Sequence, residues 1–172
     1  NPKTNEFYIA FIGPTGGGWG AKRSQDGVSA TVCINDGDTH NSPAEQLEAK
    51  YPLLIENYNL RENSGGAGEY RGGLGCENTV QARADLMLNA QVDRMHCKPW
   101  GLNGGMEADG NSVVLRSNGQ WKEDYPNAKL LTARIKKGDA FAIRSGGGGG
   151  FGDPHLRPAE TVANDVRQGY VS

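Results

Sequence analysis

Asp36, Asp38 and His40 alternate along the chain. In an extended segment, residues two apart point to the same side. Two carboxylates and an imidazole on one side form a donor set for a divalent cation. The same stretch also reads as a solvated acidic turn, because Gly37 interrupts it and Ser42-Pro43 opens a helix just behind it. In a third option the stretch is a loop at a helix N-terminus, where Thr39, His40 and Asn41 offer hydrogen bonds. From these, Asp38, His40 and Asn41 are expected to face a substrate or an interface, and no metal ligand is assigned.

His96 and Cys97 are adjacent, so in a strand they face opposite sides and form no nucleophile pair by themselves. They are expected to be packed or half-exposed. His155, in Asp153-Pro154-His155, belongs to a surface turn. Trp19 and Trp100 sit in glycine loops, where they either line a pocket or anchor the loop by burying a ring. Backbone amides of glycine loops can cradle phosphate. A Walker loop, however, needs lysine directly after its last glycine, and here Ala21 separates Gly20 from Lys22. Residues 146–150 are five glycines with no lysine behind them. Close backbone packing suits most of these glycines better than nucleotide. No GxSxG, HExxH or Ser-x-x-Lys is present, so no complete catalytic set can be assembled.

The bulk composition agrees with a chain that leans on a neighbour. Glycine makes up 26 of 172 residues, against a usual share of about 7%. Hydrophobic residues are 36%, and mean hydropathy is -0.62. Net charge is -2, and no basic run exceeds Lys136-Lys137, which argues against nucleic acid or an anionic membrane. Three widely spaced cysteines (Cys33, Cys76, Cys97) do not make a disulfide framework and fit a reducing compartment. With no leader-like or long apolar run, the cytoplasm is the default. The chain opens Asn1-Pro2 without methionine, as an internal fragment, a processed product or part of a longer polypeptide would.

The elements that must position these residues are mostly short strands. Short apolar runs predict strands over residues 7–12 and 113–116, and further strands are expected over 28–34, 53–60 (in a loose register, Asn57 and Asn59 alternating with Tyr58 and Leu60), 76–83 and 86–93. Residues 129–135 and 140–144, joined by Lys136-Lys137-Gly138-Asp139, predict a hairpin. Ser42 as cap, Pro43 at the first helical position and Glu45 in a capping box predict a helix that Pro52 stops near Tyr51. A C-terminal helix is predicted behind Pro158, with Ala159, Val162, Ala163 and Val166 on one stripe and Gly169 closing it. The fold class is mainly β, a β-dominated α+β chain with one short internal helix and one C-terminal helix.

Taken in order, the loops resemble a known pattern. Its elements are Gly16-Gly17-Gly18-Trp19-Gly20-Ala21 with Asp26-Gly27, then Thr39-His40-Asn41-Ser42-Pro43-Ala44-Glu45 with Tyr51-Pro52-Leu53. Next come residues 64–75 with Arg71-Gly72-Gly73-Leu74-Gly75, then Pro99-Trp100-Gly101-Leu102 with Gly104-Gly105. The last are residues 146–150 with Phe151-Gly152-Asp153-Pro154, and Asp165-Val166 with Gly169-Tyr170-Val171-Ser172. This order resembles the C-terminal region of the hydantoinase B/oxoprolinase family, which includes the B-type component of N-methylhydantoinase.

The resemblance implies a single domain over residues 1–172, or the C-terminal portion of a larger hydantoinase B-type subunit. It implies an ATP-dependent hydrolase acting on cyclic amides, in which a hydantoinase A-type partner of actin-like fold binds ATP with Mg. A phosphorylated amide oxygen would make the ring carbon open to water. Related complexes carboxylate acetone or acetophenone at the expense of ATP. A catalytic divalent metal, where present, is expected in the N-terminal part of the B-type polypeptide, and none on this chain. The remainder of that polypeptide is then a partner as well. From a different class stands the alternative of a non-catalytic structural or binding module.

Overall fold

The computed structural model describes residues 1–2, 4–13, 15–32, 40–122, 125 and 127–172. Over these residues the mainly β expectation holds. In chain order the elements are α1 (Ala44–Lys50), β1 (Leu53–Leu60), β2 (Cys76–Ala82), β3 (Leu86–Gln91), β4 (Ser112–Ser117), β5 (Gln120–Lys122), β6 (Lys129–Ile135), β7 (Ala140–Arg144) and α2 (Ala159–Arg167). Five strands form an antiparallel sheet in the order β1-β2-β7-β4-β5, and β3 pairs with β6 in a second, two-stranded sheet.

The core lies between the two sheets. Phe141, Val80 and Val113 are fully buried and share one cluster with Leu53 from the large sheet and with Leu88, Ala90, Leu130 and Ile135 from the small one. In β3 the buried residues alternate with exposed ones, as one inward face requires. Burial of these side chains, the Val, Leu, Ile and Phe each contributing about 1.5–3 kcal/mol, is what holds the sheets together.

The topology brings the glycine loops to one place. Arg144, at the end of β7, stands opposite both Glu77, near the start of β2, and Ser112, at the start of β4. The loop before β2, the loop before β4 and the run after β7 therefore leave the sheet at the same end.

Several expectations change. Residues 129–135 and 140–144 are both strands, but they do not form a hairpin: β6 pairs with β3, and β7 lies between β2 and β4. The tight hairpin is instead β4–β5, turned by Asn118 and Gly119 at φ 51 and 78. That Asn-Gly pair is a strong hairpin signal. Residues 7–12 are extended but pair with no strand among the described residues, and the described part of residues 28–34 makes only an isolated bridge, Thr31 with Gly17. Pro43, not Ser42, holds the cap position of α1, and no side chain caps it. In α2 the apolar stripe is exposed, and the buried residue is Asp165.

Candidate functional site at the glycine end of the sheet

Residues 146–150 hydrogen-bond to four separate segments. Gly18 N–H donates to Gly146 O and Ala21 N–H to Gly149 O. Gly66 N–H donates to Gly148 O, while Gly148 N–H donates to Gly73 O, each at 2.9 Å. Leu102 N–H donates to Gly150 O and Gly150 N–H to Met106 O. Gly147 N–H reaches Asp109 O, and Gly146 N–H reaches Asn111 Oδ1. A sheet strand bonds to two neighbours. Bonding on four sides is open to a segment only if no side chain stands between the backbones. A methyl on Gly148 would fall on the Trp19 carbonyl, and one on Gly72 on the Gly148 carbonyl.

Three side chains close the junction with the sheet. Ser145 Oγ accepts from Cys76 N–H at 2.7 Å and donates to Gly16 O, so it joins β2, β7 and the first glycine loop. Ser64 Oγ donates to Arg61 O and accepts from Gly75 N–H. The Arg61 guanidinium donates to the carbonyls of Gly110 and Ser145.

A buried ionic cluster fixes α2 to the bundle. Arg157 donates to both Asp26 oxygens at 2.8 Å, to Asp165 Oδ2 at 2.7 Å and to Glu69 O at 3.0 Å. Arg71 lies 3.4 Å from Asp165 and over the Tyr170 ring. Burial pushes the Asp26 carboxyl up. The Arg157 hydrogen bonds, the Arg71 amide and the two guanidinium charges outweigh it and hold Asp26 below the usual carboxylate range. Its hydrogen bonds to Asp26 in turn raise Arg157 against burial.

Beside the bundle opens a cleft of about 1300 Å³, walled by residues 7–13, β3, the core ring of Phe141 and the backbone of residues 146–149. Trp19 and Trp100 both line it, and Arg94 stacks over Trp100 at 5.7 Å. The backbones of both tryptophan loops are also tied into the bundle, through Trp19 N–H to Val28 O and Trp19 O from Gly73 N–H, and through Leu102 to Gly150.

Among the expected site residues, Asp38 lies outside the described residues, as do Asp36 and Cys33. His40 and Asn41 are exposed just before α1 and do not line the cleft. Asn41 Nδ2 donates to the Tyr58 hydroxyl at 3.0 Å, which ties this loop to β1. His96 and Cys97 are both exposed, in a bend and not in a strand. His155 is exposed, as expected, and its ring pairs with Asp153 at 2.8 Å. Cys76 is buried and burial pushes its thiol up, which suits packing and not attack. Among the described residues no group of His, Cys, Asp and Glu is placed to hold a metal ion. The amides of Gly146, Gly147, Gly148 and Gly150 already donate to protein, so the pentaglycine does not fit a phosphate. Sequence reading missed the Arg71–Asp26–Arg157–Asp165 cluster. Its partial signal was Asp26 beside Gly27, Arg71 beside Gly72 and Arg157 beside the helix start at Pro158; Asp165, in the last turn of α2, gave none.

These features define a β region built around a backbone-bonded glycine bundle. The chain belongs to the hydantoinase B/oxoprolinase family, which it matches over residues 1–154. It is 29% identical over 170 residues to the B component of a putative D-/L-hydantoinase of Pseudomonas sp. (strain NS671), a match covering 99% of this chain and 28% of that one. The solved ATP-dependent caprolactamase from Pseudomonas jessenii is 30% identical with a TM-score of 0.74, over 92% of this chain and 28% of its own. Nucleotide-free acetone carboxylase, from work on ATP-dependent acetone carboxylation, is 26% identical with a TM-score of 0.75, over 91% and 25%. The chain thus spans less than a third of the length of each. No helix among the described residues is long and apolar enough to cross a membrane.

Proposed function

We propose that this chain is the C-terminal part of the hydantoinase B-type component of an ATP-dependent cyclic amidase. In this reading it opens hydantoin, 5-oxoproline or lactam rings together with an A-type partner that binds ATP and Mg. The observation that supports it most is the similarity, at TM-score 0.74 and 30% identity, to an ATP-dependent caprolactamase, alongside the family match. ATP would activate the amide carbonyl in the A-type partner, and water would then cleave the ring. Nucleotide is not assigned to this chain, because the Gly146, Gly147, Gly148 and Gly150 amides already donate within the fold. The loop of Asp38, His40 and Asn41 is the part proposed to face substrate or the partner.

A second reading, part of an ATP-dependent ketone carboxylase, has its own support in the likeness to acetone carboxylase at TM-score 0.75. Product analysis separates the two. The full assembly is given ATP with a lactam, a hydantoin or 5-oxoproline, and separately with bicarbonate and a ketone. Ring-opened product formed together with ADP supports the amidase. A bicarbonate-dependent carboxylated product, with no ring opening, favours the carboxylase. The 172-residue chain alone is expected to turn over neither lactam nor ATP. His40→Ala in the assembly is expected to lower turnover with assembly intact on native mass spectrometry. Unchanged turnover would remove this loop from the site.

A further inference from the structure

The cleft between residues 7–12 and β3 is left without a use by the reading above. Residues 7–12 alternate in burial: Ala10 and Ile12 pack on the core and Tyr8 stacks near Tyr51, while Phe7, Ile9 and Phe11 are 88%, 77% and 78% exposed. Three large apolar side chains in line on one bare face are a mark of a covered surface. The backbone of residues 7–12 donates and accepts no backbone hydrogen bond among the described residues. Across the cleft, β3 pairs among the described residues with β6 along one edge only, and its every residue contributes to the wall. An unpaired strand edge is a template for another strand. The volume, about 1300 Å³, exceeds the roughly 300–1,000 Å³ of ordinary small-molecule sites.

We propose that this cleft takes up one extended, apolar strand from the remainder of the hydantoinase B-type polypeptide. The strand would pair with the free edge of β3 and cover Phe7, Ile9 and Phe11. Its backbone would satisfy polar groups on both walls that make no backbone hydrogen bond among the described residues, and its alternate side chains would enter the apolar floor beside Phe141. The occupant is assigned to the same polypeptide, since relatives hold this region within chains of which it makes up only 28%. The assignment rests on the proposed function only in supposing that such a remainder exists.

Hydrogen–deuterium exchange on the full assembly tests it, with Ile9→Asp as the companion variant. Ile9 is exposed, so the variant is expected to keep the far-ultraviolet dichroism of the unmodified chain. In the assembly the amides of residues 7–12, and those of β3 turned away from β6, are expected to exchange roughly 100-fold slower than free-peptide rates. Ile9→Asp is expected to restore fast exchange at both walls, because a charge there opposes burial under the strand. Fast exchange at both walls in an intact assembly overturns the proposal, whether or not that assembly opens a lactam ring. So does protection already complete in the 172-residue chain alone, or a homodimer in which a second copy supplies the protection. An assembly that carboxylates ketones but protects both walls keeps this proposal and overturns only the amidase.

Discussion

In the five-stranded sheet each strand has at most two neighbours, and side chains such as Val80, Val113 and Phe141 fill the space between layers. In the glycine bundle residues 146–150 have four neighbouring segments, met through backbone apart from the Asn111 side chain at Gly146. The sheet tolerates changes of side chain so long as volume is kept. The bundle has no volume to trade. Where backbones meet on every side, the hydrogen atom of glycine is the only substituent that fits. Conserving hydrophobicity is thus what the first region demands, and absence of a side chain is what the second demands.

Gly148→Ala gives the sharpest break in that comparison. Its new methyl meets the backbone of Trp19 and Gly20, which cannot rotate away as a side chain can. The expected loss is more than about 4 kcal/mol, seen as a chain unfolded or aggregated on expression. Phe141→Ala, at the centre of the sheet, is expected to cost about 3–5 kcal/mol, read from chemical denaturation. A Gly148→Ala chain as stable as the unmodified one would end the comparison.

The ionic cluster joins the two regions and gives the next effect. Arg157→Met leaves Asp26 and Asp165 with Arg71 alone, for an expected loss of about 3 kcal/mol. The same cluster sets a pH dependence. Asp26 titrates lower in the fold than in the unfolded chain. Its contribution is therefore complete above the unfolded carboxylate pKa of about 3.9, and is lost as pH falls through the lower folded value. Amide hydrogen exchange of residues 159–167, corrected for the intrinsic rate at each pH, is expected to quicken below about pH 4 and to stay flat between about pH 5 and 8. A rise centred near neutral pH would contradict this assignment.

The smallest effect sharpens the contrast within glycine itself. Gly119 sits at φ 78 in the β4–β5 turn with no atom near its would-be methyl. Gly119→Ala meets only the left-handed backbone penalty, about 1–2 kcal/mol, measurable as a lowered melting midpoint. Glycines that look alike in sequence thus divide by what surrounds them.

That division explains how far the sequence could be read. β4 was legible as a short apolar run and β1, β2 and β3 as short stretches between Gly, Pro, Asn or Asp segments, because a strand and its flanking turns leave a local pattern. The pairing of β6 and β7 was not, since both have partners far along the chain and the Lys136-Lys137-Gly138-Asp139 turn suggests only a local one. The β4–β5 hairpin was legible in principle from its Asn118-Gly119 pair. In α2 the stripe of Val162 and Val166 suggested a buried apolar face, yet the helix docks through Asp165, whose partners Arg71 and Arg157 no periodicity connects to it. For the candidate site, the refusal to assign phosphate to the pentaglycine was legible from the missing lysine. The reason, amides already bonded on several sides, depends on tertiary structure. The role of Asp38, His40 and Asn41 still stands as a proposal.

The pentaglycine is an internal scaffold and not an anion cradle. The most direct measurement of this is amide exchange of residues 146–150 in chain labelled with nitrogen-15 glycine, followed by nuclear magnetic resonance. The Gly147, Gly148 and Gly150 amides are predicted to exchange as slowly as those of the sheet core, and neither phosphate nor ATP is predicted to shift or protect them. Fast exchange that slows, with shifted resonances, on adding phosphate or ATP would contradict it.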